Sequence, residues 1–382
     1  MRTRLAVFVS IVQGIIFLGH LVLYLTWSFF WGGAASSLTT KIVLALLSVS
    51  FVSASFRGWY SFHPAVRLWY VVAAVWLGVA SYCMWAAVLC WIVYVVSVLL
   101  HLGWAPALIA DVLFAAAVLM SIYGLINANL LRIKQITVGL PNLPLPWQGR
   151  RAALISDLHL GHVRNYRFIR RVVGRLARLS PDVVFIAGDL YDGTAGDFER
   201  LARPWKHYSA PLGVFYIAGN HEEFYSHAEY LAALQHTCIR VLNNEKVEVD
   251  GLQVVGIHYR DGHDAQRYSK VLRSLRLDRN RPSILLMHAP MQLPIAEAEG
   301  VSLQLSGHTH GGQFFPYTLI ANRVWGKFIY GLNRLGNMQV YTSYGAGTWG
   351  PPFRVGTQPE IVLLEFQRES QMRSRVDLHA SV

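Results

Sequence analysis

The sequence predicts a chain in two parts: an all-α membrane region of about four helices, then an α/β domain. Three observations carry this. Charge is partitioned: of the 34 Lys/Arg and 22 Asp/Glu in 382 residues, residues 1–131 hold only Arg2, Arg4, Lys41, Arg57, Arg67 and Asp111. That same third consists of long apolar runs, and a bilayer core needs about 20 such residues in a helix. From Arg132 onward, apolar runs of strand length alternate with amphipathic stretches, a pattern that argues for an α/β fold with substantial parallel sheet.

In chain order, Leu5 to Trp31 is a long apolar run, Ile42 to Phe56 a shorter one, Leu68 to Leu100 is free of charge, and Pro106 to Leu131 carries only Asp111. These are read as four spans. The first is too long and too aromatic for a cleaved signal peptide and lacks a clear cleavage site. Asp111, near a helix start, fits an interfacial position better than an intramembrane function. Arg2 and Arg4, Arg57 and Arg67, and Arg132 and Lys134 fall on one side of four spans, whereas the opposite loops hold only Lys41. The excess of positive charge places both termini and the globular domain in the cytoplasm of an integral multi-pass protein. The net charge of +12 suits an anionic surface, and with spans in the same chain the lipid bilayer is the more economical partner than nucleic acid. Cys83, Cys90 and Cys238 are too few and too scattered for a disulfide framework or a thiolate zinc site.

The globular part opens with "ITVGLPNLPLPWQG", a strand and a Pro-punctuated connection. Strands are expected in "AALISDLHLG", "DVVFIAGDLYD", "GVFYIAGNHE", "VEVDGLQVVGIHY", "SILLMHAP", "LQLSGHTHGG", "MQVYTSYGAG" and "EIVLLEF". Asp250-Gly251 signals a hairpin turn, and helices are expected over Tyr166 to Leu179 and Ala228 to His236. The first of these places Phe168, Ile169, Val172, Val173, Leu176 and Leu179 on one stripe and five arginines on much of the rest. It reads as a helix packed on a sheet with a solvated basic face, with contact to anionic headgroups as the competing reading. "TLIANRVWGKFIYGL" reads equally as a flap or as core. The expected domains are 1–131, 132–366 and a polar tail, 367–382.

Five of the strand ends carry the same kind of side chain: Asp157 and His159 in "SDLH", Asp189 in "GDLYD", Asn220 and His221 in "GNH", His288 in "MHAP", and His308 and His310 in "GHTH". In a parallel α/β sheet, polar groups at carboxyl ends of strands gather at the ligand site. Carboxylate, amide and imidazole without thiolate suit divalent Mn, Fe or Zn. Residues two apart on a strand share a face, so Asp157 and His159 address one ion if strand geometry continues that far, and His308 and His310 address one ion or two adjacent ones. Gly188, Gly219 and Gly307 give clearance there. A lone His or Asp at a strand end is more often a loop hydrogen-bonder; the eight together outweigh that reading.

These blocks, D-x-H, G-D-x-x-D, G-N-H, a lone His and G-H-x-H in that order over roughly residues 133–366, resemble the calcineurin-like metallophosphoesterase family. "SDLHLG", "GHTHGGQ" and "GAGTWGPPFRVGTQPEIVLLEF" behind a membrane segment are similar to its membrane-anchored bacterial-type branch and to transmembrane metallophosphoesterase-domain proteins. The resemblance implies a metallophosphoesterase β-sandwich flanked by helices and two divalent metal ions, Mn favoured over Fe or Zn. It implies that Asp157, His159 and His310 hold one metal, that Asn220, His288 and His308 hold the other, and that Asp189 bridges them. His221 would protonate or stabilise the leaving oxygen, making His221 and Asp189 the catalytic pair. The implied reaction is phosphodiester or pyrophosphate hydrolysis by a metal-activated hydroxide. The family's protein Ser/Thr phosphatases carry an Arg after the second motif's Asp and again after the third motif. Here Asp192 is followed by Gly193 and "GNHEEFYSH" has no Arg, so a phosphoprotein substrate is not expected. A lipid-linked phosphate ester fits the anchor. The rival readings are a tethered phosphodiesterase for soluble nucleotides or nucleic acid, and a non-catalytic membrane scaffold with a metal-binding domain.

Overall fold

The computed structural model describes residues 2–369 and divides into two compact units, residues 1–127 with 350–355, and the rest. The first unit is helical: α1 (Arg2–Phe30), α2 (Leu38–Tyr60), α3 (Pro64–Leu99) and α4 (Pro106–Asn127). All four are long and apolar enough to cross a membrane. Helix α2 outgrows its apolar run at both ends because Ser37 caps it, accepting from Thr40 N–H, and only the Ser61–His63 break before Pro64 separates it from α3. Polar groups inside this unit find one another: Trp76 Nε1 donates to His20 Nε2 and Trp91 Nε1 to Thr26 Oγ1, each at 2.9 Å. Asp111 is exposed and accepts from the Trp31 indole at 2.8 Å, a partnership suited to a membrane–water boundary.

The segment Gly350–Val355 belongs with these helices although it lies far downstream. Phe353 is fully buried, lying where a Cβ on Gly78 of α3 or on Gly124 of α4 would strike its ring. The backbone is pinned as well: Arg354 N–H donates to Gly124 O at 3.0 Å and Asn127 Nδ2 to Arg354 O at 2.9 Å. The two glycines therefore form a notch for one aromatic side chain. Gly78→Leu fills it, and the overpacking is expected to cost about 1–3 kcal/mol. Thermal unfolding of the detergent-solubilised full chain reads this as a lowered midpoint.

Among the described residues, the second unit contains two six-stranded sheets. One runs β1 (Arg132–Leu140), β12 (Glu360–Arg368), β2 (Arg151–Ile155), β3 (Val183–Ala187), β4 (Val214–Ile217), β5 (Ile239–Val241). The other runs β10 (Gly331–Leu335), β11 (Met338–Thr342), β9 (Leu303–Ser306), β8 (Ser283–Leu286), β7 (Leu252–Gly256), β6 (Glu245–Val249). Strands β2, β3 and β4 are mutually parallel, as are β7, β8 and β9. Strand alternation separates two layers of core. Val183, Phe185 and Ala187 face the space between the sheets, with Leu154, Ile217, Ile284, Leu286 and Leu305. Val184 and Ile186 face outward onto α5 (Tyr166–Leu179) through Ile169, Val172 and Leu176. This is a β-sandwich flanked by helices. The arginines of α5 lie on the solvent side, with Arg167, Arg170, Arg171 and Arg178 exposed.

The hairpin β6–β7 turns at Asp250 and Gly251, both at positive φ (46° and 86°). The helix expected at Ala228 to His236 runs His227–Leu234. Strands β5 and β10 had no apolar run to announce them: "IRV" is short, and "GLNRL" alternates with polar residues at the end of its sheet. Strand β12 continues through Arg368, two residues into the expected polar tail, and the tail beyond Glu369 lies outside the described residues.

Candidate metal centre

Strands β2, β3, β4, β8 and β9 each end just before one of the singled-out motifs. The strand ends are linked through main-chain bonds: Asp157 N–H donates to Gly188 O and His159 N–H to Asp189 O, both at 3.0 Å, and Gly307 N–H to His288 O at 2.8 Å. Asp157 and His159 do not share a face through strand geometry, because β2 stops at Ile155. Both instead take left-handed backbone, φ 51° and 48°, as do Asp189 (51°), His308 (70°) and His310 (47°). Such conformations cost about 1–3 kcal/mol each and persist where the surroundings over-determine them. The space is equally constrained, since a Cβ on Gly307 would collide with the Asp157 carboxylate and one on Gly188 with the His288 ring.

The eight residues converge. Asp157, His159 and His310 form one group of possible ligand atoms, His159, Asp189 and His221 a second, and Asp189, His288 and His308 a third, each within 4.8 Å. His159 Nε2 and His310 Nε2 are 3.0 Å apart, with Asp157 Oδ1 3.5 Å from the latter. On the other side, His308 Nδ1 is 2.9 Å from Asn220 Oδ1 and 3.2 Å from His288 Nε2. Asp189 Oδ2 lies between the two sets, 3.8 Å from His159 Nε2 and 3.1 Å from His288 Nε2. Its other oxygen accepts the His221 N–H at 2.9 Å, leaving Oδ2 for the centre. His308 and His310 therefore face different sides of the site.

The donor set fits divalent cations. His288 Nδ1 donates to Ala187 O at 2.7 Å. In the neutral ring its Nε2 is then a lone pair, aimed at Asp189 Oδ2 and at Asn220 Oδ1, 3.2 Å away. Acceptors facing acceptors in a buried pocket need a proton or a metal ion between them. The protonation energetics agree. Burial disfavours the His288 imidazolium, but the Asp189 charge, its hydrogen bond and the Asp157 charge outweigh this and push His288 up to about 9. Burial would raise the Asp189 carboxyl, yet His288, His221 and His159 hold it well below the usual carboxylate range. Burial, aided by His288, pushes His308 down to about 3, leaving it a neutral ligand type.

Two further residues, Glu222 and Asp192, organise the centre. Glu222 is fully buried and accepts from Gly219 N–H at 2.6 Å, Tyr191 N–H at 2.9 Å and Asp189 N–H at 3.1 Å. It ties the β3 and β4 loops together, and burial, with the Asp189 charge, pushes it up to about 7. Its only signal in the sequence is its place as the acidic residue directly after G-N-H. Asp192 supplies the carbonyl that accepts from His221 Nδ1 at 2.9 Å, which turns His221 Nε2 away from that loop. Its carboxylate lies 3.4 Å from His159 Nδ1. Arg164 is buried, donating to Thr348 Oγ1, Asn129 Oδ1 and Ala128 O. Of the other histidines, His258 pairs with Glu223 at 3.1 Å and His263 meets Tyr259 Oη at 2.6 Å, while His162 is fully buried. Glu222→Ala would strand three buried N–H groups, each costing about 1–3 kcal/mol. A drop in unfolding midpoint well beyond that of Glu222→Gln, which keeps an acceptor oxygen, is the expected result.

A calcineurin-like phosphoesterase family model matches residues 150–312. An uncharacterized metallophosphoesterase of Campylobacter jejuni is 31% identical over 313 residues, covering 78% of this chain and 82% of that protein. The chain belongs to the calcineurin-like metallophosphoesterase family. Transmembrane proteins with a metallophosphoesterase domain from Danio rerio and Bos taurus are each 30% identical, over 63% and 65% of this chain. The chain spans only 59% and 60% of those two relatives. A solved 5'-nucleotidase precursor from Thermus thermophilus aligns with 61% of this chain and 58% of its own at 12% identity and a TM-score of 0.34, too slight a likeness to add to the assignment. The four apolar helices and the transmembrane relatives make this metallophosphoesterase a membrane protein.

Proposed function

We propose that this metallophosphoesterase hydrolyses phosphodiester or pyrophosphate bonds at a two-metal centre. The observation that carries the reading is Asp189 Oδ2 lying between two sets of buried ligand atoms. Asp157, His159 and His310 would hold one divalent ion, Asn220, His288 and His308 the other, with Asp189 shared and manganese the favoured metal. Two such ions, when bound, would supply charge to the phosphoryl oxygens and acidify a water. The chain's residues do the rest. The Ala187 carbonyl fixes the His288 tautomer and the Asp192 carbonyl that of His221, the orienting role that partners of metal-site histidines commonly play. His221 Nε2 is then available to stabilise or protonate the leaving oxygen. Phe224 and Trp349 stand beside the His221 ring at 4.9 and 5.6 Å and are both about half-exposed. Their apolar surface favours a substrate with a hydrophobic portion, so a lipid-linked phosphate ester is preferred to a soluble nucleotide.

The test uses purified full-length protein with an aryl phosphodiester, an aryl phosphomonoester and a lipid diphosphate in mixed micelles, with Mn²⁺ and with chelator. The expected result is chelator-sensitive cleavage of the diester and of the lipid diphosphate. Cleavage of the diester alone would favour the tethered phosphodiesterase, and no cleavage with metals bound would favour a scaffold. The positive-charge bias supports a cytoplasmic position for this domain; a reporter fused after Val382 that is active only on the far side would refute that orientation.

A further inference from the structure

The helix Tyr317–Trp325 follows the GHTHGG loop, and none of its residues is buried. Its two faces differ in kind. Thr318, Ala321 and Trp325 fall on one side at helical spacing. The Thr318 backbone stands where a Cβ on Gly312 would strike it, and the Trp325 ring lies edge-on to His308 at 5.6 Å. This side is seated on the loop that carries the site's histidines. The other side carries Leu319, Ile320 and Val324, which are 62%, 64% and 68% exposed, with Arg323 among them. A surface helix of a soluble domain normally turns its aliphatic stripe inward; here the aliphatic residues form an outward ridge.

We infer that this ridge dips into the surface of the lipid bilayer. Three observations choose lipid over a second copy of the chain or another protein. The last apolar helix ends at Asn127 and β1 begins at Arg132, and the intervening residues reach at most about 14 Å when extended. The domain that carries the ridge is therefore tethered closely to the bilayer that holds α4. From Gln313 to Leu335 the chain has no acidic residue, while Arg323, Lys327 and Arg334 are basic, the charge that suits anionic headgroups. The ridge is flanked by aromatic residues, Phe315 being half-exposed and Trp325 and Phe328 partly buried, a composition typical of helices lying in a membrane interface. Because the opposite face of the same helix abuts His308, the bilayer surface and the rim of the metal centre share one short element. The inference does not depend on hydrolytic activity.

The test places a nitroxide label at Ile320→Cys in the full chain, with Cys83, Cys90 and Cys238 replaced by serine, and a control label at Arg171→Cys. The protein is reconstituted in vesicles of phosphatidylethanolamine and phosphatidylglycerol. The inference predicts that the label at 320 collides readily with oxygen and poorly with a water-soluble nickel chelate, and that the label at 171 does the reverse. A label at 320 that meets the chelate as freely as the control overturns the inference. A label shielded from both reagents also overturns it, because the ridge then packs against protein. The triple variant Leu319→Ser, Ile320→Ser, Val324→Ser gives an independent reading. Its unfolding midpoint in detergent is expected to match the parent, as befits side chains without a protein partner, and a clear fall would contradict the assignment.

Discussion

Asp189→Asn is expected to remove phosphodiester turnover almost entirely, by about 10³-fold or more, and to lower the number of bound metal ions. The carboxylate lies between both groups of ligand atoms, and its negative charge favours a cation among the lone pairs around His288. Asparagine keeps the size and an oxygen to accept the His221 N–H, so the fold should survive. The loss is therefore electrostatic. Chelator-stripped wild type should behave like the variant, and metal analysis of the purified variant alongside activity separates lost affinity from lost chemistry. Full activity in Asp189→Asn would remove the basis for a shared ligand.

His221→Ala should produce a comparable loss of turnover, about 10²–10⁴-fold, with a different signature. Its ring sits against His159 at a centroid distance of 4.5 Å, and its Nδ1 is committed to Asp192 O. In the proposed roles it holds no ion, so metal content should stay near that of the parent. The loss should also shrink for esters with a good leaving group such as nitrophenolate, which needs little help to depart, and grow for alkyl esters. Measuring both ester types in parent and variant reads this directly. An equal loss on both would argue for a positioning role, with His221 holding Asp189 or the ring of His159 in place.

Much of this site was legible in the sequence because its residue types are restricted and its blocks fall at strand ends. The five motifs, most of the strands and the four apolar helices could be read from local pattern, whereas the sandwich followed from the family resemblance. What could not be read depended on backbone conformation and on long-range contact. Asp157 and His159 reach the same place through left-handed residues after the strand has ended, and spacing alone cannot distinguish that from a continued strand. Glu222 works through three main-chain donors from two loops, a role with no periodicity to reveal it. Phe353 lies within a run that reads as part of the globular domain, yet it packs with helices almost 230 residues upstream of it, at Gly124. The stretch around Leu319 could be read as flap or core because aliphatic residues ordinarily signal burial, and at this helix they are exposed.

The most direct test of the central claim is a titration of metal-free full-length protein with Mn²⁺, following hydrolysis of an aryl phosphodiester against equivalents added. A two-metal centre predicts no turnover at the start and activity that saturates at two equivalents per chain. Turnover that is complete at one equivalent, or that proceeds without metal, would contradict it.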